Sequence, residues 1–578
     1  MDTMHPVYTM QAECQDCYKC IRRCPVKAIT VHEGRAQVNS KRCISCGQCV
    51  LACPGKAKRV RQDISVVRGF MQSGKRVLVS LAPSWRGAFD YRPRKMIAIL
   101  KALGFDGVGE TAVGAQQVSI KVAQLLNHAR QGLNISSACP VIVDYVRRYK
   151  PEFASRIIPV ASPALTHAKL LKNHYGDNCE VVFIGPCIGK KNEAYAHPDL
   201  LLAALTFDEL KQWIHESGLN TDTINSTSDL SYVPELAYEG RLYPLDDGMN
   251  ETIRRVGVSE HVQLLHVASL ELFANSLREL SLNRVDKVMF IEALACAGGC
   301  IAGPCISSGA RKSDFEIISD VLRHTRYREE IPKEPALVVP MKYLPERVDD
   351  KVYTPEELRQ ALKRIGKLSA KDELNCAGCG YQTCMDLARA LLNGYAEPAM
   401  CVSYMRQVAS KKADAMFKYI PAAMAMLDRN LNIMEVNDAF ISMFAAEIKS
   451  AMPSPEHYVG LPAEQFLNFT AMLRKVLKTG KDILKEHVQR KDKLYDLYIF
   501  CVERSEIIGV MITDITGFQV ERGKTARRAK EVISRNISIV QEIACLLGEH
   551  MVETEALLNS IAREDDDDDQ GEPLCPLI

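Results

Sequence analysis

The apolar positions change their period several times along the chain. Residues 1–60 show little apolar periodicity. From about residue 75, unbroken apolar runs of strand length (VLVSLAP at 77–83, VVFIGPC at 181–187, VMFIEALAC at 288–296) alternate with amphipathic stretches such as KMIAILKALGF at 95–105. Such runs suit strands buried on both faces, and their alternation with helical periodicity predicts an α/β domain. A Pro- and charge-rich passage over 330–352 marks a boundary, and a short helical segment follows to about 408. Between 412 and 520, runs at 424–444, 494–503 and 507–516 predict a small antiparallel sheet with a helix or two, turned once at Arg429-Asn430. Residues 526–562 are helical in period. Their apolar stripe (Val532, Ile533, Ile537, Ile539, Val540, Ile543, Leu546, Leu547) is too broad for a strict coiled coil, so it fits packing on the preceding sheet and pairing with a second copy equally well. The run Glu564 to Asp569 predicts a solvated tail.

A chain of 578 residues is too long for one core, which agrees with several domains. Its formal net charge of +2 gives no reason to expect a nucleic-acid partner. No run approaches the roughly 18 uncharged apolar residues of a membrane span, and the opening MDTMHPVYTM has no apolar signal core. The expectation is a cytoplasmic protein without a membrane partner. Twenty-one cysteines change the picture, because clustered cysteines in a reducing compartment bind metal.

Cys14, Cys17, Cys20 and Cys24-Pro25 fall at C-x2-C-x2-C-x3-C-P, and Cys43, Cys46, Cys49 and Cys53-Pro54 repeat the pattern. In this bacterial two-cluster ferredoxin run the fourth cysteine of each half ligates the other cluster. The expected sets are therefore Cys14, Cys17, Cys20 with Cys53, and Cys43, Cys46, Cys49 with Cys24. Structural zinc is the rival, and its ribbons seldom use this spacing. Farther on, Cys376, Cys379, Cys384 and Cys401 form C-x2-C-x4-C-x16-C, with Gly378 and Gly380 free to bring backbone close to a cube. Zinc is a stronger rival there, because one set of four is less diagnostic.

Four central cysteines sit in distinctive contexts: Ser136-Ser137-Ala138-Cys139-Pro140, Gly185-Pro186-Cys187-Ile188-Gly189-Lys190-Lys191-Asn192-Glu193, and Glu292-Ala293-Leu294-Ala295-Cys296-Ala297-Gly298-Gly299-Cys300. Read together they resemble the three signature motifs of the iron-only (FeFe) hydrogenases, over about 74–310. The resemblance implies that Cys139, Cys187, Cys296 and Cys300 hold a 4Fe-4S cube. Cys300 would be shared with a di-iron subcluster carrying CO, cyanide and azadithiolate. It further implies that Lys190 hydrogen-bonds a cyanide, that Glu193 is a structural carboxylate, and that Pro83 and Ser84, in Ala82-Pro83-Ser84, lie near the cyanide ligands. Leu205 to Leu210 matches a family helix start. Cys179 and Cys305 match no family ligand position and are expected to be packing residues. H2, protons and hydrogenase maturation proteins follow as implied partners.

The departures from the family pattern matter as much. Ala138 stands where efficient members carry a proton-shuttling cysteine. Gly185 and Leu294 replace two methionines, Ala164 a glutamine and Ile142 a tryptophan. Between Glu110 and Asp144 the chain has no Asp or Glu, although the family's proton-relay carboxylates lie there. His128 or water is left to substitute.

The four cysteines at 376–401 resemble a small 4Fe-4S module found beside redox regulators, and residues 420–515 resemble a PAS domain through Val436-Asn437-Asp438-Ala439-Phe440 and Asp514-Ile515-Thr516. No residue names a PAS ligand, and Cys501 is expected to be a strand residue. The order of segments resembles the sensory branch of the family. The expected fold is multidomain, α+β and α/β: a ferredoxin-like domain at 1–65, an α/β H-cluster domain at 74–350, a small helical 4Fe-4S domain at 352–410, a PAS domain at 412–520, and a signalling or dimerisation helix with acidic tail at 521–578. The expected function is slow reaction with H2, electron passage along the cubes, and output through the PAS domain to a protein kinase or phosphatase, in a monomer or homodimer. A working hydrogenase exchanging electrons with ferredoxin, and a scaffold that binds cubes without the di-iron unit, remain the alternatives.

Overall fold

The computed structural model describes residues 5–176, 178–225, 227–280, 287–306, 313–445, 454–490, 493–516, 533–540 and 542. The chain divides into two compact units, residues 1–400 and 401–578.

The first unit begins with two pseudo-symmetric halves. Strand β1 (Val7–Thr9) leads into the first cysteine run, the hairpin of β2 (Ile29–His32) and β3 (Arg35–Val38) separates the runs, and β4 (Lys58–Val60) closes back antiparallel on β1. The halves repeat in backbone conformation. Positive φ recurs at Asp16 and Ser45, at Tyr18 and Gly47, and at Lys27 and Lys56, each pair 29 positions apart, like Cys14 and Cys43. Left-handed residues, Tyr18 and Gly47, turn the chain ahead of the short helices Lys19–Arg23 and Gln48–Ala52. Ala28 and Ala57 donate amide N–H bonds of 3.2 Å to the thiols of Cys24 and Cys53.

Next come two parallel sheets. Strands β5 (Arg76–Leu81), β6 (Gly107–Glu110), β8 (Cys179–Gly185) and β9 (Ala203–Thr206) stand in the order β6-β5-β8-β9; β7 (Gly132–Ile135), β10 (Val262–Ala268) and β11 (Val288–Leu294) stand as β10-β11-β7. β5 is buried at Val77 through Leu81 because helices cover the sheet, which explains why the run carries no polar alternation. The predicted helix at 95–105 is Pro93–Ala102. The Leu205–Leu210 segment opens helix Phe207–Glu216, where Thr206 and Glu209 form a reciprocal cap. The unit ends with the paired helices Pro355–Arg364 and Cys384–Leu392. This segment returns to the ferredoxin-like halves: Val31 N–H donates to the Tyr395 carbonyl at 3.0 Å, and Arg22 donates to the Gly378 carbonyl at 3.1 Å.

The second unit is a five-stranded antiparallel sheet, β12 (Ala423–Leu427), β13 (Ile433–Val436), β14 (Ile483–Arg490), β15 (Lys493–Glu503) and β16 (Ile507–Asp514), in the order β13-β12-β16-β15-β14. Four aromatic rings, Phe440, Phe444, Tyr458 and Phe466, join the buried core of the sheet with centroids 4.5–6.2 Å apart. Helix Val402–Tyr419 runs through residues 410–412, where the sequence suggested a boundary; no Gly or Pro lies within it to stop it. The described part of the terminal helix sets Ile537 and Val540 against the other sheet face, beside Met424 and Phe500. The rest of that helix and the acidic run lie outside the described residues.

Candidate metal centre

The parallel strands assemble the site. Immediately beyond their C-terminal ends stand Pro83 and Ser84 after β5, Thr111 after β6, Cys139 after β7, Cys187 after β8, and Cys296 with Cys300 after β11. Loops at this edge of parallel sheets are where ligands bind, since side chains from several strands converge while the strands stay rigid. Between the two sheets lies a cavity of about 100 Å³ with mostly apolar walls; Pro83, Ser84, Ala138, Cys139, Cys187, Lys190 and Cys300 line it.

The four central thiols share one environment. Burial raises the Cys296 thiol, and Cys300, Cys187 and Cys139 raise it further; Cys300 responds to Cys139 and Cys187 in the same way, and Cys187 is pushed up to about 11. Free thiols packed together in a dry site gain little from one another, whereas thiolates around a cationic core are neutralised, so this donor set fits a metal cluster. Among the described residues no three His, Cys, Asp or Glu side chains close around one metal ion.

In the ferredoxin-like halves, thiols of one run act electrostatically on thiols of the other. Burial, followed by Cys17, Cys14 and Cys53, pushes Cys20 up to about 11; Cys49 is raised by burial and by Cys43, Cys46 and Cys24. Fourth cysteines thus face the opposite half. In the C-terminal module Cys379 and Cys384 are buried and Cys376 is exposed, all in the first unit, and Cys401 opens the second as the N-cap of helix Val402–Tyr419. Cys179 is buried on β8, Cys305 is buried beyond the third motif, and Cys501 is half-buried on β15.

Lys190 lies at the cavity wall and donates to Glu193 Oε2 at 2.6 Å and Ser162 Oγ at 3.0 Å, so Glu193 sits behind the ammonium and outside the lining. Ser84 Oγ is buried without a hydrogen-bond partner and belongs to the lining. An ammonium and an unmatched hydroxyl at an apolar cavity fit a group with anionic acceptor atoms.

Sequence reasoning passed over several wall residues. Glu292, quoted within the third motif without a role, is buried in the lining; it accepts N–H bonds from Met249 at 3.2 Å and Asn250 at 2.9 Å, and burial pushes its carboxyl up to about 8. Met249 and Tyr243 also line the cavity, and neither lies in a cysteine motif that would have flagged it. Phe183 lines it too, and explains Gly185: a Cβ there would fall 2.5 Å from the Phe183 ring, so the ring takes space a longer side chain would need. Ala138, Ala164 and Leu294 are all wall residues. His128 is exposed at the far end of the helix that starts at Thr111, roughly 25 Å away at 1.5 Å per residue, and is no substitute relay.

A parallel-sheet thiol site served by a two-cluster front end defines an iron–sulfur protein of the redox class. Residues 75–304 match the family described as iron only hydrogenase large subunit, C-terminal domain; residues 6–54 match a 4Fe-4S dicluster domain, and residues 372–403 match the FeS family of cluster modules. Residues 75–304 therefore form a domain of the iron-only hydrogenase large-subunit family. Similar solved structures include a variant of the FeFe-hydrogenase HydA1 of Chlamydomonas reinhardtii (18% identity, 49% of this chain and 100% of that one, TM-score 0.39). Another, titled for stepwise H-cluster assembly in a FeFe-hydrogenase, has 15% identity over 48% and 99% of the two chains, TM-score 0.39. The PAS domain of nitrogen regulation protein NR(II) from Vibrio parahaemolyticus has 18% identity over 18% of this chain and 97% of that one, TM-score 0.15.

Proposed function

We propose that this protein is a hydrogen sensor: it reacts slowly with H2 at an H-cluster, relays the electrons through 4Fe-4S clusters, and reports the change through its second unit. When bound, the di-iron subcluster would supply the site where H2 is split heterolytically. Cys139, Cys187, Cys296 and Cys300 would hold its cube. Lys190, steadied by Glu193 and Ser162, would donate to an anionic ligand, and Ser84 would offer a second donor. The apolar wall of Pro83, Phe183 and Leu294 excludes water.

The wall at Ala138 carries this reading. Heterolytic chemistry releases a proton with every hydride, and a methyl group cannot accept it. Glu292 is the carboxyl in the lining; burial raises it, and the two backbone N–H bonds its oxygens accept pin it in place, so it lacks the mobility of a thiol on the cluster-facing loop. General acid–base groups are worth about 10²–10⁴-fold in rate, and a site lacking its principal one favours detection over throughput. The second unit is read as a PAS transmitter whose aromatic interior is its own core, and the kinase or phosphatase partner, ferredoxin exchange and dimer remain inferences from resemblance.

Matured full-length protein, assayed for H2 oxidation and by infrared spectroscopy under H2 and inert gas, tests this. CO and cyanide bands that change under H2, with turnover far below hundreds per second, are expected. Rapid turnover makes it a working hydrogenase. Absence of the bands after maturation makes it a scaffold.

A further inference from the structure

Two lysines tie the iron–sulfur sites together in pairs, and one cluster site is common to both pairs. Lys58 is buried; it donates to Thr9 Oγ1 and the Ala36 carbonyl at 2.7 Å, and its charge bears on Cys20 of one ferredoxin-type set and on Cys49 of the other. Lys27 reaches elsewhere. Its Nζ donates to the carbonyls of Ile21 at 3.0 Å and Arg22 at 3.2 Å, which holds the ammonium over the end of helix Lys19–Arg23. There its strongest attractive neighbours are Cys24, of the set with Cys43, Cys46 and Cys49, and Cys379 of the C-terminal module.

The packing around Lys27 is close. A Cβ on Gly380 would lie 2.8 Å from Ile21 Cγ2, so the loop carrying Cys379 rests directly on the helix between Cys20 and Cys24. On its other side the same cysteine set meets the hydrogenase domain: a Cβ on Gly47 would lie 2.6 Å from Pro304, Asn192 donates to Ser45 Oγ at 3.0 Å, and the charge of Cys46 bears on Cys296. One crevice has Cys24, Lys27, Cys46, Ala295, Ala297 and Tyr381 in its walls, and so borders all three sites.

We propose that the site of Cys24, Cys43, Cys46 and Cys49 is a junction from which electrons branch to the C-terminal cluster, and that Lys27 is the positioning residue that poises the two for exchange. This rests on the cluster reading above. With the clusters bound, each H2 would give two protons, released to solvent, and two electrons that pass one at a time: one would reduce the C-terminal cluster by way of the junction, and the other would remain on the ferredoxin-type pair. The branch bypasses the set of Cys14, Cys17, Cys20 and Cys53. A cation shared by two reducible clusters stabilises the extra electron on either one, so its removal lowers both potentials together.

The test is a dithionite redox titration of the full-length chain with reconstituted cubes, followed by electron paramagnetic resonance, with iron and sulfide counted first. Lys27→Met is expected to move the junction and C-terminal signals to lower potential and leave the signal of the set of Cys14, Cys17, Cys20 and Cys53 in place, with Lys27→Arg restoring both. Lys58→Met should instead move the two ferredoxin-region signals. Lys56→Met, at the pseudo-symmetric but exposed position, should move none. If Lys27→Met moves no signal, moves one alone, or moves all equally, the junction is overturned. If Cys379→Ser loses no iron, the cluster reading of that module fails, and the junction fails with it for a reason the iron count identifies.

Discussion

Ala138 contributes one methyl group to the cavity wall, and the proposed hydrogen chemistry turns on it. Its neighbour Cys139 ends the loop from β7, so a thiol on residue 138 would enter the cavity beside Cys300 without new backbone. Ala138→Cys is expected to raise H2 turnover of the matured protein by about 10²-fold or more, the weight of a restored acid–base group, with infrared bands of the inert-gas state little changed. An unchanged rate would mean that proton transfer is not what limits the site. Asp144 gives a second prediction, one that needs no metal. Burial pushes its carboxyl up to about 6 against the pull of Arg148 and Arg147. A carboxyl raised in the folded state favours folding while protonated. Its contribution is full below about pH 4 and is lost as pH rises through about 6; the shift is worth roughly 3 kcal/mol at most. Asp144→Asn should therefore flatten the thermal stability of the apo-protein over that window, with the gain over wild type growing toward neutral pH.

Single elements show what the sequence carries and what it leaves out. The cysteine spacings placed the thiols because a C-x2-C-x2-C turn can be written in adjacent residues, and the apolar runs placed β5, β8 and β11 because buried parallel strands leave a continuous signature. The cavity's far wall could not be read this way. Glu292, Met249, Tyr243 and Phe183 meet only through β11, helix Gly248–Val256, the turn that precedes that helix, and β8, and nothing local in the chain announces that meeting. Gly185 read as a loss of a methionine, yet the space belongs to Phe183. In the second unit the step Val436-Asn437-Asp438 was legible as a helix start, while its reach was not. Asn437 Oδ1 accepts from Phe440 N and Met424 N, both at 2.9 Å, and its Nδ2 donates to the Ala422 carbonyl at 2.8 Å, so one amide joins helix Asp438–Phe444 to β12. Asn437→Ala should cost about 2–4 kcal/mol, more than a lost cap of about 1 kcal/mol, because buried backbone groups on the strand lose their partners as well. Thermal unfolding of the second unit, followed by near-ultraviolet circular dichroism, would check this, and a drop no larger than an ordinary cap would refute it.

At the scale of the whole first unit, the ferredoxin-like halves and the hydrogenase domain are joined by polar groups set in apolar surroundings. Lys191, next to the cavity lysine, is fully buried and turned away from the cavity. Its Nζ donates to Asp63 Oδ2 at 2.9 Å, to Glu209 at 2.8 Å and to the Ala204 carbonyl at 2.9 Å. Asp63 stands where the chain leaves the dicluster region, Glu209 caps helix Phe207–Glu216, and Ala204 is on β9, so one ammonium fixes the angle at which the front end enters the domain. Arg61 also holds Asp63, at 2.7 Å. Burial opposes the charge on Asp63, yet the bond to Arg61 and the ammonium of Lys191 hold its carboxyl below the usual range. Lys191→Met keeps the volume and removes the cation, leaving two carboxylates facing each other in the interior. Breaking such a buried set from one side costs about 3–5 kcal/mol, whereas replacing it entirely by uncharged groups is often neutral. The expected result is a large fall in the thermal midpoint for Lys191→Met, and substantial recovery when Asp63→Asn and Glu209→Gln are added. The carboxylates must then regain protons to relieve the single variant, so its deficit should shrink as pH falls toward 4. A single variant as stable as wild type at neutral pH would show that the front end is held in place by its apolar packing alone.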